Sequence, residues 1–255
     1  MPRVLSDSPR AHAIETAFLS AGGHVPEDIV LVLGGDGAML RAIDQYGSVP
    51  TYFGVNCGLL GFLMNDLADD PAAAATVLRE ALGAGDWFAQ PFPRLLVSAT
   101  LTDGSVHVDR AVNDVYVERM SGQTCHLRVT VDGVVAVSRL VCDGLIAATP
   151  LGSTAYSFSA GGSAAHPLLR GIHLTAICPH VPRLAPIILP ETALIHIEVD
   201  DPDRRPARAA VDGRQTDRVA AVDVRASGDH VRLGFLDGHD FTATLIRKIL
   251  DRRER

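Results

Sequence analysis

The chain has 255 residues, of which 47% are hydrophobic and 21% charged, a composition that can bury one large or two modest cores and excludes a disordered protein. Its formal net charge of −7 gives a nucleic-acid backbone no long-range attraction, so we expect no nucleic-acid partner. We interpret the one basic cluster, residues 247–255, as the solvated face of a last helix.

The first third of the chain alternates helical and strand patterns. Gly22 and Gly23 stop the first helical pattern, and the first strand pattern is continuously apolar, as in a parallel strand covered on both faces. This alternation predicts an α/β domain. In chain order we predict a helix over 9–21, a strand over 29–33, a helix starting at 38–42, a strand over 49–55 and a helix over 71–82.

Beyond about residue 90 the pattern changes to period-two alternation, which predicts antiparallel strands. Asp132 and Gly133 separate two alternating runs and predict a hairpin with a type I′ turn, because both central residues of that turn need positive φ. Residues 241–250 return to helical spacing, and we expect this last helix to pack back on the first domain. The alternating apolar positions are 115 and 117; 127, 129 and 131; 195, 197 and 199; 231, 233 and 235.

These patterns together predict the domain organisation. We expect an α/β N-terminal domain followed by an all-β domain, with a C-terminal helix that returns to the first domain. The predicted bounds are 1–89 for the α/β domain, completed by 240–255, and 90–239 for the β-rich domain.

The cysteines and the chain start bear on the cell compartment. Cys57, Cys125, Cys142 and Cys178 are scattered and form no CxxC pair, which argues against a zinc ribbon, a redox motif or a disulfide scaffold. The first ten residues lack the pattern of a secretory leader, and no apolar run approaches the ~20 residues that span a bilayer. We therefore expect a cytoplasmic protein with no membrane partner.

The strongest chemical signal is Gly34-Gly35-Asp36-Gly37, which directly follows the first buried strand. Glycines at the carboxyl end of a strand let backbone N–H groups approach a phosphate without interference from a Cβ atom. Asp36 would then orient a nucleophilic hydroxyl, bind Mg²⁺ or do both. The alternative is a tight turn in which Asp36 caps the next helix.

Two familiar phosphate-binding motifs are absent from the sequence. There is no GxxxxGK[ST], and Leu40 stands where a dinucleotide fingerprint starting at Gly35 has its third glycine. A P-loop enzyme is therefore excluded, and a redox Rossmann enzyme is disfavoured.

A second signal is the stretch 143–162, which is dense in small and hydroxyl residues. Such a stretch supplies backbone and hydroxyl donors and lets a nucleotide approach closely, and Tyr156 can stack or hydrogen-bond. The alternative is a long Ser/Gly surface loop, which Pro150 and the aromatic residue disfavour. We expect Asp36 and Tyr156 to meet the same nucleotide.

These motifs resemble those of bacterial NAD kinases and occur in the same order. The Gly-Asp-Gly element alone is shared with phosphofructokinases and lipid kinases, whereas the Thr-Pro-x-Gly-Ser-Thr-Ala-Tyr segment is much more specific. The resemblance covers most of residues 29–190. It is carried by Gly34-Gly35-Asp36-Gly37, Asn56 with Gly58 and Gly61-Phe62-Leu63, Asn113-Asp114, the 143–162 stretch and Pro179-His180, and Asp212-Gly213 extends it.

The resemblance implies a kinase that moves the terminal phosphoryl group of ATP, or of polyphosphate, onto the adenosine-ribose 2′-hydroxyl of NAD to give NADP. It also implies an α/β domain followed by an all-β, β-sandwich-like domain that binds the dinucleotide. Mg²⁺ or another divalent cation and a homodimer or homotetramer are implied as well. Asp36 would be the catalytic proton acceptor and a candidate metal contact through Mg-ATP. The implied nucleotide-binding residues are Gly35, Asp36, Gly37, Asn113, Asp114, His126, Asp143, Thr154, Ala155, Tyr156, Ser157, Ser159 and His180.

Several positions depart from the pattern of the family. Ala38 replaces its usual threonine, and Arg139, Arg183 and Arg214 are displaced from, or replace, its polar positions. The region before residue 29 is short, so we expect the first domain to lack one strand–helix unit. Two other functions stay open: a non-catalytic NAD(P)-binding module of the same fold, and a sugar or lipid kinase of the same superfamily.

Overall fold

The structure is a computed structural model that describes residues 3–6, 8–58 and 61–250. The chain forms two compact units, Met1–Phe92 with His230–Arg255, and Pro93–Asp229. Its elements are, in chain order, β1 (Arg3–Ser6), α1 (Pro9–Ser20), β2 (Ile29–Gly34), α2 (Asp36–Tyr46), β3 (Thr51–Asn56), α3 (Pro71–Ala84), β4 (Trp87–Leu101), β5 (Val106–Ala111), β6 (Asp114–Arg119), β7 (Cys125–Val131), β8 (Val134–Cys142), β9 (Gly144–Ala148), a 3₁₀ turn (Gly152–Thr154), α4 (Tyr156–Ser159), β10 (Ile172–Ile177), β11 (Ile187–Leu189), β12 (Ile195–Val199), β13 (Ala207–Val211), β14 (Arg214–Asp217), β15 (Val219–Leu236) and α5 (Phe241–Leu250).

The first unit is built on a parallel sheet in the order β1, β2, β3 and the last part of β15. β2 and β3 are buried along their whole length, as the continuous apolar run predicts. Ser8 and Asp70 cap α1 and α3 by accepting a backbone N–H, and each helix has a proline in its first turn. Residues of both helices join the strands in one apolar core, so the predicted α/β character is confirmed.

Two expectations about the first unit were wrong. β1 pairs with β2 and precedes α1, so the chain has a strand–helix unit before residue 29; a four-residue strand is too short to show a period in sequence. Residues 231–235 were expected in an antiparallel strand. However, Arg232 to Gly234 pair in parallel with Thr51 to Phe53. The prediction failed because an alternating apolar pattern shows which face of a strand is buried and not whether the neighbouring strand runs parallel or antiparallel.

The second unit is a sandwich of antiparallel sheets. One sheet has six strands in the order β11, β10, β9, β6, β13 and β14. In the other, β12 lies between β7 and the first part of β15, while β8 pairs with β7 and β5 pairs with β4. The core between them includes Val117, Leu145 and Leu174 from the first sheet and Leu127, Ile197 and Val222 from the second.

The predicted hairpin and last helix are both present. Asp132 and Gly133 have φ of 49° and 78° between the paired residues Val131 and Val134, as a type I′ turn requires. α5 lies in the first unit, where Phe241 packs edge-on against Phe235. No helix in the described part of the chain is both long and apolar enough to cross a bilayer.

Candidate functional site

Asp36 is the first residue of α2, and only Gly35 separates it from the carboxyl end of β2. Its two carboxylate oxygens accept the backbone N–H groups of Phe62, at 2.9 Å, and Leu63, at 3.0 Å. The cap of α2 is Gly35, which makes no side-chain hydrogen bond. The alternative that Asp36 serves as a helix cap is therefore wrong, since its side chain is bound by a loop distant in sequence.

The surroundings of Asp36 act on its charge in opposite directions. Burial raises the pKa of the Asp36 carboxyl above its ordinary value, while the N–H groups of Phe62 and Leu63 and the ammonium of Lys248 lower it. The net effect is a raised pKa, so the carboxylate is a somewhat better proton acceptor than one in water. The amino end of α2 places further positive potential beside it.

The glycines that flank Asp36 leave open space beside it. A Cβ atom added at Gly35 would meet no atom within 4 Å, and one added at Gly37 would meet only Arg41, at 3.6 Å. Gly35 also has an ordinary φ of −123°. Because neither packing nor conformation within the described chain requires these glycines, the open surface fits close approach of a ligand to the amino end of α2.

The loop that holds Asp36 is itself fixed by polar contacts. Asn56 donates to Asp66 at 2.8 Å and accepts the N–H of Gly58 at 3.1 Å. The buried Lys248 of α5 donates to the carbonyl of Gly61 and lies 3.4 Å from Asp66. The prediction that residues 247–255 form a solvated face is therefore wrong for Lys248. The missed signal is its place seven residues after Phe241, on the apolar stripe of the helix.

In the second unit, the carboxylate of Asp212 holds the backbone at Asn113 and Asp114. Asp212 accepts the backbone N–H groups of Val112 at 2.7 Å, Asn113 at 2.8 Å and Asp114 at 3.1 Å. Burial, and then the charge of Asp212, raise the pKa of Asp114 from 3.8 to about 7. The buried Oδ1 of Asn113 has no partner among the described residues, so it can accept a hydrogen bond from a ligand.

The hydroxyl-rich stretch packs directly against this turn. Thr149 donates to the carbonyl of Val112 at 2.7 Å and accepts the N–H of Gly152 at 3.0 Å. A Cβ atom added at Gly152 would lie 2.1 Å from the carbonyl oxygen of Asn113, so only glycine fits there. Much of the stretch is buried, and the alternative of a surface loop is therefore wrong.

Two of the expected nucleotide-binding hydroxyls in this stretch are buried and have partners inside the protein. Thr154 is buried and donates to the carbonyl of Leu151 at 3.3 Å, and Ser157 is buried and shares a hydrogen bond of 2.9 Å with Thr175. Ser159 is exposed. Ala155 lies between the 3₁₀ turn and α4 and caps both, and Tyr156 is the first residue of α4.

Tyr156 packs edge-on against Tyr116, with the ring centroids 5.0 Å apart. Burial raises the pKa of the Tyr156 hydroxyl, and the negative charges of Glu118, Asp114 and Asp143 add to this shift. Asp143 accepts from Arg119 at 2.7 Å. Tyr116 was not among the predicted site residues. The available signal was its position two residues after Asp114 on one strand, which puts both side chains on the same face.

The two histidines expected at the site both contact residues of β8 in the second unit. His126 is buried on β7, and its Nδ1 accepts from Arg139 at 2.8 Å, so a neutral His126 carries its proton on Nε2. His180 is exposed and donates its backbone N–H to Val141, the register partner of His126 on β8. The described contacts join neither histidine to Tyr156.

The displaced residues also have places in the structure. Ala38 is buried on α2, and Arg139 contacts His126. Arg214 makes two hydrogen bonds of 3.0 Å to the carboxylate of Asp109, while Arg183 is exposed. Arg139 and Arg214 are therefore tied to protein groups in the described structure.

Comparisons with protein families match most of this chain. Residues 15–86 match the ATP-NAD kinase N-terminal domain, and residues 112–231 match the ATP-NAD kinase C-terminal domain. The chain is 36% identical over 252 residues to the NAD kinase of Cereibacter sphaeroides, covering 96% of both proteins. It is 34% identical over 253 residues to the NAD kinase of Hyphomonas neptunium, covering 95% of this chain and 94% of the relative.

Two solved structures share the fold. The NAD kinase of Archaeoglobus fulgidus in complex with ATP superposes with a TM-score of 0.78 at 25% identity, covering 97% of both chains. Yeast NADH kinase in complex with NADH superposes with a TM-score of 0.82 at 23% identity, covering 99% of this chain and 88% of the yeast chain.

Proposed function

The chain belongs to the NAD kinase family, and from this premise we propose that it transfers the γ-phosphoryl group of ATP to the adenosine-ribose 2′-hydroxyl of NAD, giving NADP. The observation that carries the proposal is the Asp36 carboxylate, which two backbone N–H groups hold beside the open amino end of α2. A fixed anionic acceptor next to an anion-binding helix end is what transfer of a phosphoryl group to a hydroxyl requires.

In the proposed mechanism Asp36 accepts a hydrogen bond from the ribose 2′-hydroxyl and takes up its proton late in the reaction. Phosphoryl transfer passes through a loose transition state, so most of the acceleration comes from alignment of the hydroxyl and from stabilisation of the triphosphate. Because both oxygens of Asp36 are already fixed, little conformational freedom remains to be lost when the hydroxyl binds. The amino end of α2 supplies partial positive charge beside the reacting group.

Mg²⁺ would enter with the triphosphate. The described residues contain no group of three or more side chains suited to hold a metal ion. This fits a cation that keeps most of its ligands from phosphate and water and takes at most one or two carboxylates from the protein, with Asp36 as the candidate. The bound cation would neutralise phosphate charge.

We propose that the second unit supplies most of the dinucleotide contacts. The Oδ1 of Asn113, which has no partner in the described part of the chain, and the carboxyl of Asp114 suit ribose hydroxyls, and the ring of Tyr156 suits adenine. Gly35 and Gly37 would lie against the nucleotide through their backbone. The remaining proposed contacts are Asp143, Thr154, Ala155, Ser157 and Ser159, with His126 and His180 as peripheral contacts. Family resemblance also leads us to propose a cytoplasmic homodimer or homotetramer.

The direct experiment incubates the pure protein with Mg-ATP and NAD and couples any NADP formed to an NADP-specific dehydrogenase. We expect NADP formation that requires both substrates and stops when the divalent cation is chelated. Binding of NAD without any NADP would instead favour the non-catalytic module. Phosphorylation of a sugar or lipid in place of NAD would favour the other kinases of the superfamily.

A further inference from the structure

We infer that Lys248 is a positioning residue for phosphoryl transfer: its ammonium group holds the loop whose backbone N–H groups fix the Asp36 carboxylate. The inference deepens the proposed function and rests on it, because the geometry of Asp36 matters in this way only in a kinase. Lys248 lies on α5, more than 200 residues along the chain from Asp36, and its relative exposure is 4%.

The contacts form an unbroken path from the lysine to the carboxylate. Lys248 Nζ donates to the carbonyl of Gly61, and the next two residues, Phe62 and Leu63, donate their N–H groups to the two oxygens of Asp36. The ammonium also lies 5.6 Å from the centroid of the Phe62 ring, within range of a cation–π interaction. Lys248 therefore holds the carbonyl of the same peptide unit whose N–H group, that of Phe62, donates to Asp36.

The position of Lys248 makes little sense as packing alone. Burial of an ammonium costs free energy unless hydrogen bonds and opposite charges compensate it, and an apolar side chain would fill the same stripe of α5 without that cost. The compensation here comes from the Gly61 carbonyl and from Asp66, with a further attraction from Asp36. Each of these groups belongs either to Asp36 or to the loop after β3 that binds Asp36.

The neighbouring Arg247 provides a matched comparison. It also pairs with Asp66, at 2.7 Å, but its side chain is 55% exposed, and none of its described hydrogen bonds goes to the Gly61 carbonyl. If α5 merely needed a cation near Asp66, then loss of either residue would have a similar effect. If Lys248 positions the loop, then only its own loss disturbs Asp36.

The test compares Lys248→Met, Lys248→Arg and Arg247→Met with the wild-type chain. Because small displacements of an aligned group are costly, we expect Lys248→Met to lower kcat by about tenfold or more. The KM for NAD should stay within a few fold, since we assign the buried Lys248 no contact with the substrate. Lys248→Arg should recover part of the loss, because it restores a donor and a positive charge, and Arg247→Met should behave as wild type.

Amide hydrogen exchange gives a readout that does not depend on turnover. We expect the Phe62 and Leu63 amides to exchange faster in Lys248→Met and at the wild-type rate in Arg247→Met, because only the first variant frees the loop. Should Lys248→Met fail to fold, Lys248→Gln, a shorter and uncharged donor, takes its place with the same expected direction.

Two negative results are distinguishable. An active wild-type enzyme whose Lys248→Met variant keeps both its kcat and its amide protection would overturn the positioning role alone. A wild-type chain that binds NAD and forms no NADP would overturn the proposed function, and the role of Lys248 in catalysis with it.

Discussion

Asp36 is a carboxylate whose orientation is set by the backbone. Each of its oxygens accepts one N–H group, which leaves further acceptor capacity on each oxygen for a hydroxyl. The donors come from Phe62 and Leu63, and backbone N–H groups have no signature in sequence. The motif around Asp36 could therefore be found in the sequence, while the groups that orient it could not.

We expect Asp36→Asn to lower kcat by about two to four orders of magnitude, because an amide cannot take up the proton and its NH₂ would face one of two N–H donors. The affinity for NAD should stay within a few fold. Coupled NADP assays and calorimetric titration with NAD measure the two quantities. Asp69→Asn, at a fully exposed carboxylate, is the control and should match wild type. Near-normal turnover of Asp36→Asn would remove Asp36 from the catalytic role.

Asp114 makes the stability of the fold depend on pH. Its pKa is raised to about 7, so the folded chain keeps a proton that the unfolded chain releases near its ordinary pKa of 3.8. The contribution of this group to the free energy of unfolding is therefore greatest below about pH 4. It decreases as the pH rises to about 7 and is constant above that. The slope is at most about 1.4 kcal/mol per pH unit.

Asp114→Asn should remove this dependence. Relative to wild type, the variant should gain stability as the pH is raised from about 4.5 to about 8, which denaturant unfolding at the two pH values measures. Asp203→Asn, at an exposed aspartate, is the matched control and should show no such difference. Parallel pH curves for wild type and Asp114→Asn would contradict the assignment.

At the scale of elements, the start of β6 packs directly against the turn after β9. The Asp212 carboxylate gathers three successive N–H groups there, and Gly152 lies against the carbonyl of Asn113 with no room for a Cβ atom. The position of Asn113 is thus set by elements on either side of it in the sheet. Such pre-organisation lowers the entropy that ligand binding must offset.

Gly152→Ala should destabilise the chain by about 1–3 kcal/mol, since the added methyl group would lie 2.1 Å from a backbone oxygen and force the turn apart. It should also weaken binding of NAD. Denaturant unfolding and NAD titration check both effects. Gly122→Ala is the control: a Cβ atom there meets nothing within 4 Å, so both quantities should be unchanged. A Gly152→Ala variant as stable as wild type would contradict the packing described.

Elements with local signals could be predicted from the sequence. The caps and apolar spacing of α1 and α3 and the Asp132-Gly133 turn act within a few residues, and the structure confirms each of these elements. The parallel pairing of Arg232 to Gly234 depends on a strand about 180 residues earlier, which no local pattern reports. The partners of Lys248 are likewise distant in sequence, so the local spacing of α5 could predict its burial but not its contacts.

At the scale of the whole molecule, two cores and a negative charge set the conditions for function. Each unit has its own apolar cluster, and the formal net charge of −7 opposes two anionic substrates. Binding must therefore come from local donors such as the amino end of α2. A ligand that binds only the folded state adds about 2.7 kcal/mol of stability at a hundred times its Kd.

We accordingly expect NAD to raise the midpoint of thermal unfolding in a concentration-dependent way. The corresponding measurement is a thermal scan across a series of NAD concentrations, with inorganic phosphate as the control for a general anion effect. A midpoint that responds equally to both would indicate a nonspecific effect of anions.

The central proposal is the transfer of one phosphoryl group from ATP to the ribose of NAD, and phosphorus NMR of the reaction mixture tests it most directly. We expect the γ-phosphate signal of ATP to disappear in step with the growth of a 2′-phosphomonoester signal identical to that of NADP, with no inorganic phosphate formed. Release of inorganic phosphate, or unchanged ATP in the presence of bound NAD, would contradict the proposal.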